Sequence, residues 1–477
     1  MDILRKYHIA LLLTLLFYSC DSLFDDELPP HSLVGENAIT DETSAASALN
    51  GVYSYLDDFG IWDSYYIVDN DIRLGFLEGA YRASFEEQLR NLQVQEEALD
   101  LKTPWTGCAK LINAANNFIY YVERLPEKKF GEGRKEAMLA EAKFLRAFGQ
   151  LRLLKMFGQF WDVNSIYGPL MRREPSRLSN NQMARAGVRD TYRMILEDLD
   201  DAIRYAPDFS SVYRICKVAA KAFKADVLMM RGEGEDYKNA MILADEVLKS
   251  AEFQMEGSFE AVFEHGYKSS ELLFSRCIGS TNLKRAEGNV ASMIKMFGGT
   301  YTPSGTYYNI LTKEDTRFQH TFDSVWYKPV NANRKSLIWK KLWKSDANTP
   351  MYYMRLAQMH LLRAEAMVYT GGAAKDVIDE LNVLRLRSGN TLLKAADYPT
   401  RDLLMDIVFD EWVREIGMEN GSEYFVAIRM VKSGGKRKIS EYNPNYEQDI
   451  QLNLPIPQEE LQYNLLMKQS PVYTKKK

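Results

Sequence analysis

The sequence predicts a mainly α protein: tetratricopeptide-type helix pairs form the scaffold, and a loop-rich, irregular face lies beside them. Three observations carry this. Long segments repeat apolar residues at three- and four-residue intervals, the period of a helix face. Two pairs of such segments are joined only by short turns containing glycine. Residues 60–105 and 252–350 lack the period and are rich in Tyr, Trp, Gly and Asn.

The elements follow in order. Residues 44–58 (SAASALNGVYSYLDD) place Ala45, Ala48, Leu49, Val52, Tyr53 and Leu56 on one face, with Thr43 or Ser44 as the expected cap. Residues 135–157 (KEAMLAEAKFLRAFGQLRLLKMF) are dense in strong helix formers. Further helices are expected over 188–206, 217–232, 237–250, 352–371, 375–389 and 401–420. Strand-like patches are short, as at 272–278 (LLFSRCI). In the hairpins 217–250 and 352–389, alanine stands seven residues before the closing glycine: Ala225 before Gly232, and Ala364 before Gly371. A small residue there lets the partner helix approach, and glycine permits a left-handed exit. That is the recipe of a tetratricopeptide pair.

The chain has 477 residues, 46% hydrophobic and 12% aromatic, enough for a large core. Its 60 basic and 65 acidic residues leave a formal charge of -5, with no basic footprint for nucleic acid. Cys20, Cys108, Cys216 and Cys277 show no framework spacing. The last three read as buried free thiols. The N-terminus carries Arg5 and Lys6, then the run IALLLTLLFYSC. The run is too short to span a bilayer and has the length of a signal-peptide core. Ser19-Cys20 closes it like a lipoprotein signal, and the acidic DSLFDDE follows. The expected organisation is a signal peptide over 1–19, a lipidated Cys20 with an acidic tether over 20–35, an N-terminal part over 36–214, and a C-terminal part over 215–477. The two parts are expected to pack as one compact unit.

No catalytic constellation stands out. The sequence has no H-E-x-x-H pair, no G-x-S-x-G elbow and no Walker loop. VDNDIRLG (68–75) has a faint calcium-loop pattern, but Arg73 stands where an oxygen ligand belongs. No cofactor and no metal are expected. His360 reads as a packing histidine, and Trp105, Trp161 and Trp412 as core.

Several segments, in order along nearly the whole chain, resemble the SusD/RagB nutrient-binding lipoproteins of Bacteroidetes outer membranes. They are WTGCAKLINAANNFI (105–119), AEAKFLRAFGQLRLLKMFG (140–158), ILEDLDDAI (195–203) and AAKAFKADVLMMRGEGEDYKNA (219–240). EDTRF (314–318) follows with an Asp-x-Arg element, then MRLAQMHLLRAEAMVYTGG and ELNVLRLRSG, and finally NLPIPQEELQYN (453–464). In one departure, DEWVREIGMENG holds Trp412 at the family's usual arginine position.

The resemblance implies a SusD-like fold and a non-catalytic protein, lipid-anchored to the outer membrane and facing the extracellular side. It would capture an oligosaccharide and hand it to a SusC-like TonB-dependent transporter; a peptide is the ligand of RagB-like members. A secreted glycan-degrading enzyme is the competing class, and no carboxylate spacing speaks for it. The resemblance also places ligand contacts in the early aromatic segment and in the loops before the Asp-x-Arg element. A sugar site needs aromatic faces for C–H surfaces and polar partners for hydroxyls. The candidates are Trp62, Tyr65, Tyr66, Arg73 and Tyr81, then Asn282, Arg285, Tyr301 and Trp326.

Overall fold

A computed structural model describes residues 38–58, 60–79, 82–276, 301–327, 334–339, 341, 350–432, 439–447 and 452–474. The helices are α1 (Glu42–Asp58), α2 (Gly60–Leu74), α3 (Ala83–Arg90), α4 (Lys102–Arg124), α5 (Arg134–Phe157), α6 (Val188–Tyr205), α7 (Lys217–Arg231) and α8 (Asp236–Leu248). Then come α9 (Phe259–His265), α10 (Gly305–Ile310), α11 (Arg317–Thr321), α12 (Leu356–Tyr369), α13 (Ala374–Arg387), α14 (Arg401–Ile416) and α15 (Ser422–Lys432). Single turns of helix follow at Ile439–Tyr442, Gln458–Tyr463 and Pro471–Thr474.

Neighbours in sequence are neighbours in space. α4 packs on α5, α5 on α6, α6 on α7, and α7 on α8. The series then skips the irregular stretch, and α8 packs on α12, which pairs with α13 and α14. α5 runs between α4 and α6 and is buried on almost every side, so its apolar residues form no single stripe. Ala225 and Ala364 are fully buried. Gly232 and Gly371 close their helices at φ +62° and +77°, the left-handed exits expected.

Four expectations are corrected. Asp41, not Thr43 or Ser44, caps α1: its Oδ1 accepts the Ser44 N–H at 2.9 Å. A carboxylate suits the positive end of a helix. The helix expected from 352 begins at Leu356, because Met354 and Arg355 are extended and pair with another strand. The helix expected to 420 ends at Ile416, since Gly417 leaves the helical backbone at ψ 132° and Met418 then turns left-handed at φ +66°. Finally, IWDSYY lies within helix α2, not in a loop. α2 buries Ile67, Val68, Ile72 and Leu74, but also Asn70, Asp71 and Arg73. Polar residues at core-facing positions hide the helical period.

Three two-stranded antiparallel ribbons complete the described chain: β1 (Leu77–Gly79), β2 (Leu272–Phe274), β3 (Tyr301–Pro303), β4 (Phe322–Tyr327), β5 (Arg334–Trp339) and β6 (Met354–Arg355). β1 pairs with β3, β2 with β6, and β4 with β5 in register Phe322↔Trp339. The first ribbon fastens the 301 segment to α2, and the second fastens the 272 segment to α12. Cys108 and Cys216 are buried and stand outside any disulfide, and Cys20 and Cys277 lie outside the described residues. Trp105 and Trp412 are buried, while Trp161 packs half-buried against the core.

Candidate ligand-binding site

The motif residues first form a frame. Arg146, from EAKFLRA, grips both oxygens of Asp198, from ILEDLDD, at 2.8 and 2.7 Å. Its third nitrogen reaches Asn116 at 3.0 Å. Glu365, from RAEAM, receives Arg429 in the same two-pronged way at 2.7 Å each. Trp412 Nε1 donates to Glu365 at 3.1 Å, so the indole supplies a donor at the position where the family has arginine. The Asp-x-Arg element is buried too. Arg317 binds Asp315 at 2.7 Å, Glu411 at 2.9 Å and Glu415 at 3.3 Å. Arg355 joins Glu271, Glu415 and Glu419. Burial alone would raise Glu415, but Arg387, Arg355 and Arg317 hold its carboxyl well below the usual range. His360 Nδ1 sits 2.7 Å from Glu380, a satisfied packing histidine as expected.

Against this frame lies α2. Tyr65, Tyr66, Asp69, Arg73, Phe85 and Asp100, with Asn70, line a cleft with about 20 Å³ of free room. That holds one water, or one group of similar size. Tyr66 stacks on Phe425 at 6.0 Å, with the Arg152 guanidinium 4.6 Å from its ring. Arg82 lies over Tyr65 at 4.0 Å and Phe85 at 5.2 Å. A guanidinium over an aromatic face is held by the ring quadrupole. Arg82 also pairs with Asp69 and, at 3.1 Å, with Asp100. Burial pushes the Asp69 carboxyl up to about 6, with Arg82 opposing. The Asn70 Nδ2 donor is buried without a partner. Gly421, at φ +64°, lets the chain before α15 pass close to Asn70 and Ile67. The cleft therefore combines aromatic walls, two carboxylates and one unused amide donor. This set can take hydroxyl groups.

The expected contacts divide. Tyr65 and Tyr66 line the cleft. Trp62 lies on the same helix and Trp326 on β4, but their side chains are outside the described residues, as are Tyr81, Asn282 and Arg285 altogether. Arg73 lines the cleft as well, with its guanidinium tied back to the chain, whereas Tyr301 is a support and not an open contact. Arg73 is 2% exposed, donates to the Leu452 carbonyl and lies 4.4 Å from the Tyr424 ring. Tyr301 is fully buried and its hydroxyl donates to Glu86. Sequence reasoning missed Asp69, Asn70, Arg82, Phe85 and Asp100. Its one trace of them was the polar VDND run, of which Asp69 and Asn70 line this helical cleft.

A family model described as "SusD family" matches residues 301–473, and one described as "Starch-binding associating with outer membrane" matches residues 29–229. The chain belongs to the SusD-like family. A SusD-like protein of Bacteroides ovatus is 22% identical over 478 residues, 89% of this chain and 82% of that one. The crystal structure of a SusD superfamily protein from Bacteroides thetaiotaomicron superposes with a TM-score of 0.77 at 21% identity, covering 91% of this chain and 100% of that one. A laminarin-binding SusD-like protein has the same fold, with a TM-score of 0.70 at 19% identity, covering 91% and 100%. The mainly helical SusD-like fold is thus established.

Proposed function

We propose that this SusD-like chain is a surface-exposed, non-catalytic lipoprotein that captures an oligosaccharide and passes it to a SusC-like TonB-dependent transporter. The observation that carries the reading is the α2 cleft of a SusD-like fold, where Tyr65 and Tyr66 stand beside Asp69, Asn70 and Asp100. The cleft has room for one hydroxyl-sized group, and its carboxylates and amide satisfy a hydroxyl that loses water on binding. Trp62, Tyr81, Asn282, Arg285 and Trp326 are proposed to extend this cleft into a platform, with Arg73 in its wall and Tyr301 as a support.

Cys20 is proposed as the acylated residue, since stable anchoring takes more than one acyl chain. The acidic DSLFDDE supports display on the outer side. The test is calorimetry of the purified chain against laminarin, starch, charged glycans and a peptide mixture. Binding of a glycan without its cleavage is expected; cleavage of the glycan, or binding of peptides alone, would overturn the reading. Co-purification of a TonB-dependent transporter from native membranes checks the partner, and a chain that emerges alone would count against the hand-over.

A further inference from the structure

The frame around α14 is balanced in charge. Arg317, Lys341, Arg355, Arg385, Arg387 and Arg414 face Glu271, Asp315, Asp410, Glu411, Glu415 and Glu419 through close ion pairs. Each cation has its carboxylate, and none is left over among the described residues. Two further carboxyls lie at the edge of this frame. Asp71, on α2, is fully buried and neither of its oxygens has a hydrogen-bond partner. Glu423, on the first turn of α15, is fully buried; Oε1 accepts the Met418 N–H at 2.6 Å, and Oε2 has no partner.

The two lie where helices meet. α15 packs on α2, and Tyr66 stacks on Phe425 at that contact. Glu423 is the charge Asp71 feels most strongly. Lys341, Glu419 and the Tyr307 hydroxyl face the same spot. Lys341 is already bound to Glu419 at 2.9 Å and to the Glu415 carbonyl at 3.2 Å. On the opposite side of α2, Arg82 is committed to Asp69, Asp100 and Glu86. Among the described residues, no neighbouring cation is free to neutralise Asp71 or Glu423. A buried carboxylate without compensation gives up its charge. Lys341 facing the pair disfavours a metal ion there.

We infer that Asp71 and Glu423 are buried as neutral acids at the packed contact between α2 and α15, so that the helix bearing Tyr65 and Tyr66 stays docked while they keep their protons and loosens when both ionise. Burial is the larger cause in both, and Glu423 is pushed up to about 7. The sign follows from that rise. The contact is fully stabilising below ordinary carboxylate values and weakens as pH rises through about 7. Only the consequence for nutrient capture rests on the proposed function. Alkaline surroundings would loosen the α2 cleft, and neutral to mildly acidic ones would keep it formed.

The experiment uses the folded chain without any ligand, so its outcome is independent of nutrient capture. Amide hydrogen exchange of α2 is followed between about pH 6 and pH 8.5, corrected for intrinsic exchange. Protection in α2 is expected to fall about tenfold over that range, while α5 and α6 change little. In Asp71→Asn with Glu423→Gln the fall disappears. Glu423→Gln alone, which keeps an acceptor for Met418, removes most of it and serves if the double variant folds poorly. An infrared band of a protonated carboxyl at about pH 6 that the Glu423→Gln variant lacks adds direct support. An α2 response unchanged in both variants would overturn the inference. So would a response that calcium abolishes and a chelator restores, since the pair would then hold a metal and not a proton.

Discussion

Arg146 and Asp198 come from segments about fifty positions apart, yet each carries the other's charge out of reach of water. Burial still raises Asp198 with Arg146 beside it. Removing one member leaves the other buried and alone. Arg146→Ala is therefore expected to lower unfolding free energy by about 3–5 kcal/mol, read by urea denaturation. Lys375→Ala, at an exposed pair with Asp379, should leave the midpoint where it was, because water already screens that pair. At this scale the motif residues were legible. Arg146, Asp198, Glu365 and Arg317 stand in segments with a recognisable pattern, and each proved to be frame. The cleft residues were not. Asp69 and Asn70 differ in no sequence property from surface polar residues; only the approach of Arg82, Phe85 and Gly421 gives them a role.

Among the elements, α7 and α8 were readable and α2 was not. The first pair announces itself by apolar spacing and by Gly232. An alanine at Gly232 would need a left-handed φ and would press on the Tyr237 hydroxyl at 2.5 Å. Gly232→Ala should destabilise the pair by roughly 1–2 kcal/mol, measurable as a lower thermal midpoint. α2 fills core-facing positions with Asn70, Asp71 and Arg73, whose polarity is answered by distant partners or by protonation. Periodicity cannot register that. The ligand prediction belongs to this helix. Tyr66→Ala should weaken glycan binding about tenfold, ~1.4 kcal/mol, in calorimetry while leaving the far-ultraviolet spectrum unchanged. Equal affinity for variant and parent would remove Tyr66 from the platform.

Across the whole molecule, buried pairs span long separations: Glu271 with Arg355, Asp226 with Arg429, and Glu141 with both Tyr53 and Arg214. The proposed single compact unit should therefore melt in one transition, with the same midpoint in near- and far-ultraviolet dichroism. Acid should attack it through the frame. Arginines hold Glu411, Glu415 and Asp315 below ordinary values even though burial pushes the other way. Their stabilisation is present above about pH 4.3 and drains away as pH falls through the folded values. A thermal midpoint that drops below about pH 4 is the expected reading. Replacing Asp25, Asp26 and Glu27 by alanine should reduce surface labelling in cells without shifting that midpoint; unchanged labelling would remove the tether from the export route. What the sequence alone determined was the helical scaffold, its paired turns and the order of family-like segments. Helical period, capping and glycine exits are local, and each is written within a few residues. Which polar residues would be buried, which tyrosines would line a cleft and which would support it, and which carboxyls would be left without a cation were decided only in three dimensions. Charge balance and desolvation depend on neighbours that the chain brings together from hundreds of positions away.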